Sequence, residues 1–324
     1  MRIKKLLPDV IDRFNLNLKG LTVFTEAASG AYMFTPIAAA LAGAEVIAFA
    51  KDTIYAKVSD VKDDLIKWAK EFAAVKNIQI INNKTKDFIS SSDIVTNSGM
   101  LRHLDREFIF SMKQNAVIAL MYEAWEIRSS DIDIAACKER GIRIAAINED
   151  HPLVDVFNYV GILAIKMLLE AGIEIYKSKI GILGSDKFSQ VITKFLKNCG
   201  ACCYVITPPL PLTELDAVIY TDYNGKIQLT EKDLLMMKKS CNTIVQFLGG
   251  LNFNQIKSFG LNIYPDQYVP SKKMAKTFSA LGLKPTIELQ TAGLKAAEII
   301  YKGLDFDTND PFYHLAEEII LNNL

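Results

Sequence analysis

The chain has 324 residues, half of them hydrophobic, and 37 Lys+Arg balance 37 Asp+Glu, so the formal net charge is zero. This length supports two domains with separate cores. With that charge balance, no basic surface for nucleic acid is implied.

Taken in order, the elements alternate between strand and helix, the pattern of parallel sheets. The first eight residues are basic but lack a long apolar run, so no signal peptide is expected. Leu21 to Thr25 reads as a strand, Ala31 to Gly43 as a helix entered through Ser29-Gly30, and Glu45 to Ala50 as a second strand. Val58 to Ala74 is an amphipathic helix with Val61, Leu65, Trp68 and Phe72 on one face. Strands follow at 78–81 and 92–96, then a helix at 105–112 and a strand at 116–121. A helix at 131–140 ends at Gly141, and 143–147 closes the sheet. Asn148 to Pro152 is a polar break with a proline at the start of an apolar helix, 153–169. That helix holds Asp155, Asn158 and Lys166 and is short for a membrane span, so it is expected inside the protein or at a homodimer interface. The second domain continues with strands at 180–184, 202–206, 217–220, 243–247 and 262–264 and helices at 190–198, 231–239 and 253–258. The last stretch, 291–324, reads as mostly helical and returns to the first domain. The expected boundaries are 1–149 with 291–324, and 150–290. Cys137, Cys199, Cys202, Cys203 and Cys241 are expected as buried thiols of a reducing cytoplasm, with no disulfide and no metal site.

The unit from Lys179 to Thr207 is a strand, a glycine turn, a helix and a strand, which places a pyrophosphate on a helix N-terminus. The G-x-G-x-x-G fingerprint would begin at Gly184, but Asp186 and Ser189 fill the second and third glycine positions. The acid that would read a ribose hydroxyl is also absent, since Thr207-Pro208-Pro209 stands at the end of the second strand. Only about ten residues separate Ile206 from Ala217, too few for a helix and another strand, so the adenosine side of this domain should be cut down.

Ile132 to Ile142 resembles the "IDLxAAxxRGI" segment of the D-isomer-specific 2-hydroxyacid dehydrogenases, the formate/glycerate dehydrogenase type. Lys179 to Gly184 is similar to that family's "LGIIGxG" strand. Val156 to Leu168 sits where its interdomain helix begins, and Leu289 to Gly293 resembles its "PHIAG" segment. The resemblance implies an α/β protein of two domains, a flavodoxin-like substrate domain and an abbreviated Rossmann-like domain with parallel sheets. It also implies NAD or NADP as cofactor, a small-molecule acid as substrate and a homodimer. The family's reaction uses an Arg that grips the substrate carboxylate, a His acid/base and a Glu that supports the His. At the matching positions this chain has Leu248, Gln290 and the Pro265-Asp266-Gln267 stretch.

The candidate catalytic residues are therefore Gln290, which can hydrogen-bond a carbonyl, with a displaced acid drawn from Asp266, Glu123 or His151. Gly184, Ser185, Asp186, Ser189, Thr207 and Thr221 are the candidate cofactor-binding residues. Ser29 and Gly30 at a helix start suit an anion such as a carboxylate or a phosphate, with ordinary helix capping as the alternative. Asn97, Ser98 and Gly99 follow a strand at the place where the resemblance implies backbone amides that hold the substrate carboxylate; a plain turn is the alternative. His103 is a second histidine to watch. Lys295 reads either as a phosphate contact or as an exposed helical lysine. Two functions follow: a divergent NAD(P)-dependent oxidoreductase acting on a small hydroxy or keto acid, or a catalytically silent relative that binds a metabolite or serves as a biosynthetic partner.

Overall fold

A computed structural model describes residues 2–210 and 214–321. Residues 211–213, inside the short connection between 206 and 217, lie outside the described residues, as do residue 1 and the end of the tail expected to be helical. The chain divides into two compact units, Met1–Val156 with Gly282–Leu324, and Phe157–Leu281.

Unit 1 opens with α1 (Arg2–Arg13), which sequence reasoning missed. Pro8 and the flanking charges hide it, but Ile3, Leu7, Val10 and Ile11 recur on one face and are buried, the 3.6-residue stripe of a core-facing helix. There follow β1 (Thr22–Glu26), α2 (Phe34–Leu41), β2 (Glu45–Phe49), α3 (Val58–Glu71), β3 (Ile78–Ile81), α4 (Lys86–Ser91), β4 (Ile94–Thr96), α5 (Arg106–Ser111), β5 (Val117–Ala119), α6 (Ile134–Arg140) and β6 (Arg143–Ile147). Gly141 ends α6 in the left-handed conformation (φ 64°), as the sequence predicts. Apart from the half-buried Arg143 that opens β6 and the buried Thr96 that ends β4, the strands β4, β5 and β6 are apolar and buried, as parallel sheets require.

Unit 2 contains α7 (Asn158–Glu170), β7 (Lys179–Leu183), α8 (Lys187–Asn198), β8 (Cys202–Ile206), β9 (Ala217–Tyr220), α9 (Glu231–Ser240), β10 (Thr243–Gln246), α10 (Phe253–Ser258) and β11 (Asn262–Tyr264). Helix α7 starts five residues later than predicted, because residues 151–157 turn instead, with Asp155 at φ 41°. Its sheet is parallel throughout, ordered β11-β10-β9-β7-β8. Among the described residues no strand lies beyond β8, which fits the expected loss on that side. Tyr204 and Val205 of this edge are exposed. Cys199 and Cys202 are exposed as well, against the expectation of buried thiols, because one caps α8 and the other opens the edge strand.

The chain then returns to unit 1 through α11 (Leu283–Lys302) and β12 (Ala316–Glu318). The boundary expected at 290/291 thus falls inside a helix. Ala292, Leu294, Ala296 and Ala297 are fully buried, and α11 runs so close to the sheet that a Cβ on Gly293 would meet Met121 Sδ at 2.6 Å. Gly303, at φ 61°, stops the helix. The described part of the tail beyond it is not helical: β12 pairs antiparallel with β6 and completes a seven-stranded sheet ordered β12-β6-β5-β4-β1-β2-β3. Lys295, predicted exposed or phosphate-bound, is buried and bonds Glu298 (3.0 Å) and the Asn15 carbonyl (3.0 Å).

Candidate functional site

In unit 1, β4 lies between β1 and β5 and runs parallel to both. The loops leaving the C-terminal ends of these strands therefore emerge along one edge, the usual place for a ligand in an open α/β sheet. Thr96 donates to Thr25 Oγ1 (2.8 Å) and is bonded to Ser98 Oγ (2.6 Å), a buried row of hydroxyls beneath that edge.

Glu26 ends β1 and points across to the loop after β4. Its Oε2 accepts from the Met100 amide at 2.8 Å, and the Gly99 amide is turned onto the same carboxylate. Burial pushes the carboxyl above its ordinary range, an effect opposed by those two amides and by the charges of Arg102 and Lys51. The loop read from sequence as receiving an anion thus brings one of its own. Ser29 stands at the start of a 3-10 turn over Gly30–Met33 and makes no side-chain cap, while Gly30 takes φ 64°.

Asn97 is fully buried and tightly held. Its Nδ2 donates to the Leu120 carbonyl (3.3 Å) and to Tyr122 Oη (2.9 Å). Arg102 donates through Nε to Asn97 Oδ1 (3.0 Å) and through Nη2 to the Asn97 carbonyl (2.8 Å). Tyr122 donates to Asp131 (3.1 Å) and is flanked by the guanidiniums of Arg102 and Arg128, 5.7 and 4.7 Å from its ring centre. Its phenol is pushed well above the usual range, by burial first. Neither Glu26 nor Arg102 stands out as a candidate from the sequence. The one available signal is that Arg102 lies five residues after Asn97, across a turn.

The remaining candidates of unit 1 have separate partners. Glu123 is buried and accepts from the Glu149 amide (3.2 Å). His151 accepts from the Leu153 amide at Nδ1 (3.2 Å), so Nε2 carries the proton and donates it to the Tyr313 carbonyl (3.1 Å). Burial lowers its pKa, and both ring nitrogens are engaged by backbone. Gln290, on α11, accepts from the Thr35 hydroxyl at 3.1 Å. His103 is exposed, with Nδ1 3.0 Å from the Ser130 carbonyl. Asp266, in unit 2, is exposed and paired with Lys257 (2.9 Å).

In unit 2 strand β7 has the edge strand β8 on one side and β9 on the other, the point at which the chain order reverses and where a dinucleotide binds in such sheets. The turn out of β7 requires glycine. Gly184 takes φ 156°, and a Cβ there would sit 2.3 Å from Thr221 Oγ1 and 2.8 Å from Ser189 Oγ. The glycine is thus required by the close packing of Thr221 and Ser189 against the turn. The anion seat beside it holds Asp186. Its Oδ1 accepts from the Ser189 amide and hydroxyl (both 3.0 Å), capping α8, and its Oδ2 accepts from the Tyr223 amide (2.8 Å). A phosphate on these amides would require the Asp186 carboxylate to leave them. Ser189 and Thr221 share a 2.7 Å hydrogen bond behind it. Thr207, at the end of β8, offers no carboxylate for a ribose. Among the described residues no group of three or more His, Cys, Asp or Glu side chains could hold a metal ion, and no helix is long and apolar enough to cross a membrane.

No protein-family model matches the sequence, and no curated protein matches it. Solved structures do. The dipicolinate synthase A polypeptide from Bacillus halodurans is similar at a TM-score of 0.55 and 12% identity, over 90% of this chain and 100% of that one. The corresponding dipicolinate synthase polypeptide from Bacillus subtilis gives 0.54 and 14%, over 89% and 97%. A 2-hydroxyacid dehydrogenase from Ketogulonicigenium vulgare Y25 gives 0.53 and 8%, over 90% and 98%. The chain therefore has the two-domain α/β fold of the 2-hydroxyacid dehydrogenases, in a divergent sequence.

Proposed function

We propose that the chain is a divergent NAD(P)-dependent oxidoreductase acting on a small hydroxy or keto acid. The observation that carries this reading is the Gly184 turn. It keeps a backbone conformation and a closeness to Thr221 that only glycine permits, at the switch point of a parallel sheet. Gly184, Ser185, Ser189 and Thr221 would hold the pyrophosphate, with Asp186 displaced. A bound nicotinamide would supply the hydride donor or acceptor.

The substrate would lie along the loop edge of unit 1, near Ser29, Gly30 and the turn at Asn97, Ser98 and Gly99. Gln290 would donate a hydrogen bond to the substrate oxygen, because its own oxygen is taken by Thr35. Of the three acids, Glu123 is the one we favour as proton carrier. His151 has both nitrogens on backbone groups, and Asp266 sits in an exposed ion pair. We further propose a cytoplasmic homodimer.

NADH and NADPH titrations, followed by a screen of 2-keto acids, test the reading. Micromolar cofactor binding with turnover that falls roughly a hundredfold or more in Glu123→Gln supports it. No binding at millimolar cofactor sinks it.

A second reading has its own support. Asp186 fills the anion seat, and Leu248 and Gln290 stand where the resembling family has its Arg and His. A catalytically silent protein that binds a metabolite, or serves as one component of a biosynthetic enzyme, fits those facts. Two of the similar structures are components of a synthase by name. Co-purification with a partner enzyme, without cofactor binding, would favour it.

A further inference from the structure

We propose that Arg102 holds the carboxylate of this protein's ligand, at the end of β4, in place of the backbone amides and of the arginine that Leu248 replaces. The inference rests on the small-acid reading above and adds the residue that recognises the acid.

Three observations converge. The Gly99 and Met100 amides already face the Glu26 carboxylate, so a second carboxylate placed on them would meet like charge. Leu248 is apolar and fully buried and offers no donor. Arg102, in contrast, is fixed at the same turn and still has donors to give. Nε and one proton of Nη2 go to Asn97, Asp131 lies 3.4 Å from Nε, and the guanidinium stacks over Tyr122. Among the described residues Nη1 has no partner, so Nη1 and the second Nη2 proton form a free end-on fork. The side chain is 26% exposed. A planar fork held in place with its outer edge open is the geometry that takes a carboxylate through two parallel hydrogen bonds.

Arg128 lies on the same tyrosine and provides the contrast. Its Nη1 is 3.3 Å from Asp131 and its Nη2 3.1 Å from Glu126, so both ends of its fork face carboxylates of the chain itself. Asn97 is a positioning residue here: it acts through Arg102.

The test uses oxalate as the probe. Its affinity is measured by calorimetry on the full-length wild type and on Arg102→Met, Arg102→Lys and Arg128→Met, each shown to be folded by circular dichroism. Arg102→Met should weaken oxalate roughly ten- to hundredfold, the worth of a charge-assisted pair. Arg102→Lys should fall in between, since it keeps the charge without the fork, and it remains informative should the methionine variant not fold. Arg128→Met should change affinity less than about twofold. Equal affinity in wild type and Arg102→Met overturns the proposal, as does a wild type that fails to bind oxalate in the millimolar range. Loss of oxalate in Arg102→Met, in a protein that binds no NAD(P)H, keeps the inference and removes the oxidoreductase reading. Turnover of keto acids with an unchanged KM in Arg102→Met does the reverse.

Discussion

The two units each place a carboxylate of their own on backbone amides where a ligand anion would otherwise sit, and they do so with different surroundings. In unit 1, Glu26 is buried on the Gly99 and Met100 amides, with the charges of Arg102 and Lys51 acting on it. In unit 2, Asp186 caps α8 and ties down Tyr223, with these bonds coming from neutral donors. The difference is in what remains for a ligand. Beside Glu26 a guanidinium keeps an open fork, so an acid can bind without moving the carboxylate. At α8 the carboxylate itself must move before a phosphate can take its place. The first arrangement redirects the ligand, and the second competes with it.

The largest effect should come from breaking the turn that carries the oxidoreductase reading. Gly184→Ala forces a Cβ against Thr221 in a strained backbone and should cost about 3 kcal/mol; urea unfolding that shows less than about 1 kcal/mol would contradict the packing described. Glu26→Ala leaves the buried Met100 amide without its acceptor and should destabilise unit 1 by about 1–3 kcal/mol. Asp186→Ala should cost about 1–2 kcal/mol as a lost cap. It should also tighten NADH several-fold, because a like charge worth about 1 kcal/mol leaves the helix terminus. Unchanged NADH affinity would show that the carboxylate does not compete.

The comparison also sets a pH dependence. Glu26 holds its proton to higher pH in the folded chain than in the unfolded one. Between the ordinary carboxylate value and the raised one the native state binds more protons, so stability falls as pH rises through that window and levels off above it. Glu26→Gln should flatten this slope in pH-resolved denaturation. The smallest effect belongs to Asp266→Ala, which removes an exposed ion pair with Lys257 and should change stability by less than about 0.5 kcal/mol.

The strands were legible because most are apolar, β-branched runs closed by glycine, proline or a polar turn. Residues 202–206, 217–220 and 262–264 form strands at the residues read. Helix α1 was hidden by Pro8 and the tail by its lack of periodicity. At the site the sequence marked Asn97, Ser98 and Gly99, and it marked Asp186 as a carboxylate in a glycine position. It could not give the direction of that side chain, which turns inward onto its own helix. Glu26 left no local trace, and Arg102 only its place five residues after Asn97. The bond from Met100 to Glu26 spans 74 residues, and spacing along the chain carries no record of contacts made at neighbouring strand ends.

Helix α11 packs among α1, α2, β5 and β6, yet it follows all of unit 2 in the sequence. During synthesis, at roughly 5–20 residues per second, the sheet of unit 1 waits on the order of ten seconds for the helix that covers it, while unit 2 emerges and can fold in the interval. The first unit made is thus the last completed. Its apolar sheet face should be the segment that engages chaperones on the ribosome, and nascent chains stalled before Leu283 should show unit 2 resistant to protease and unit 1 still cut.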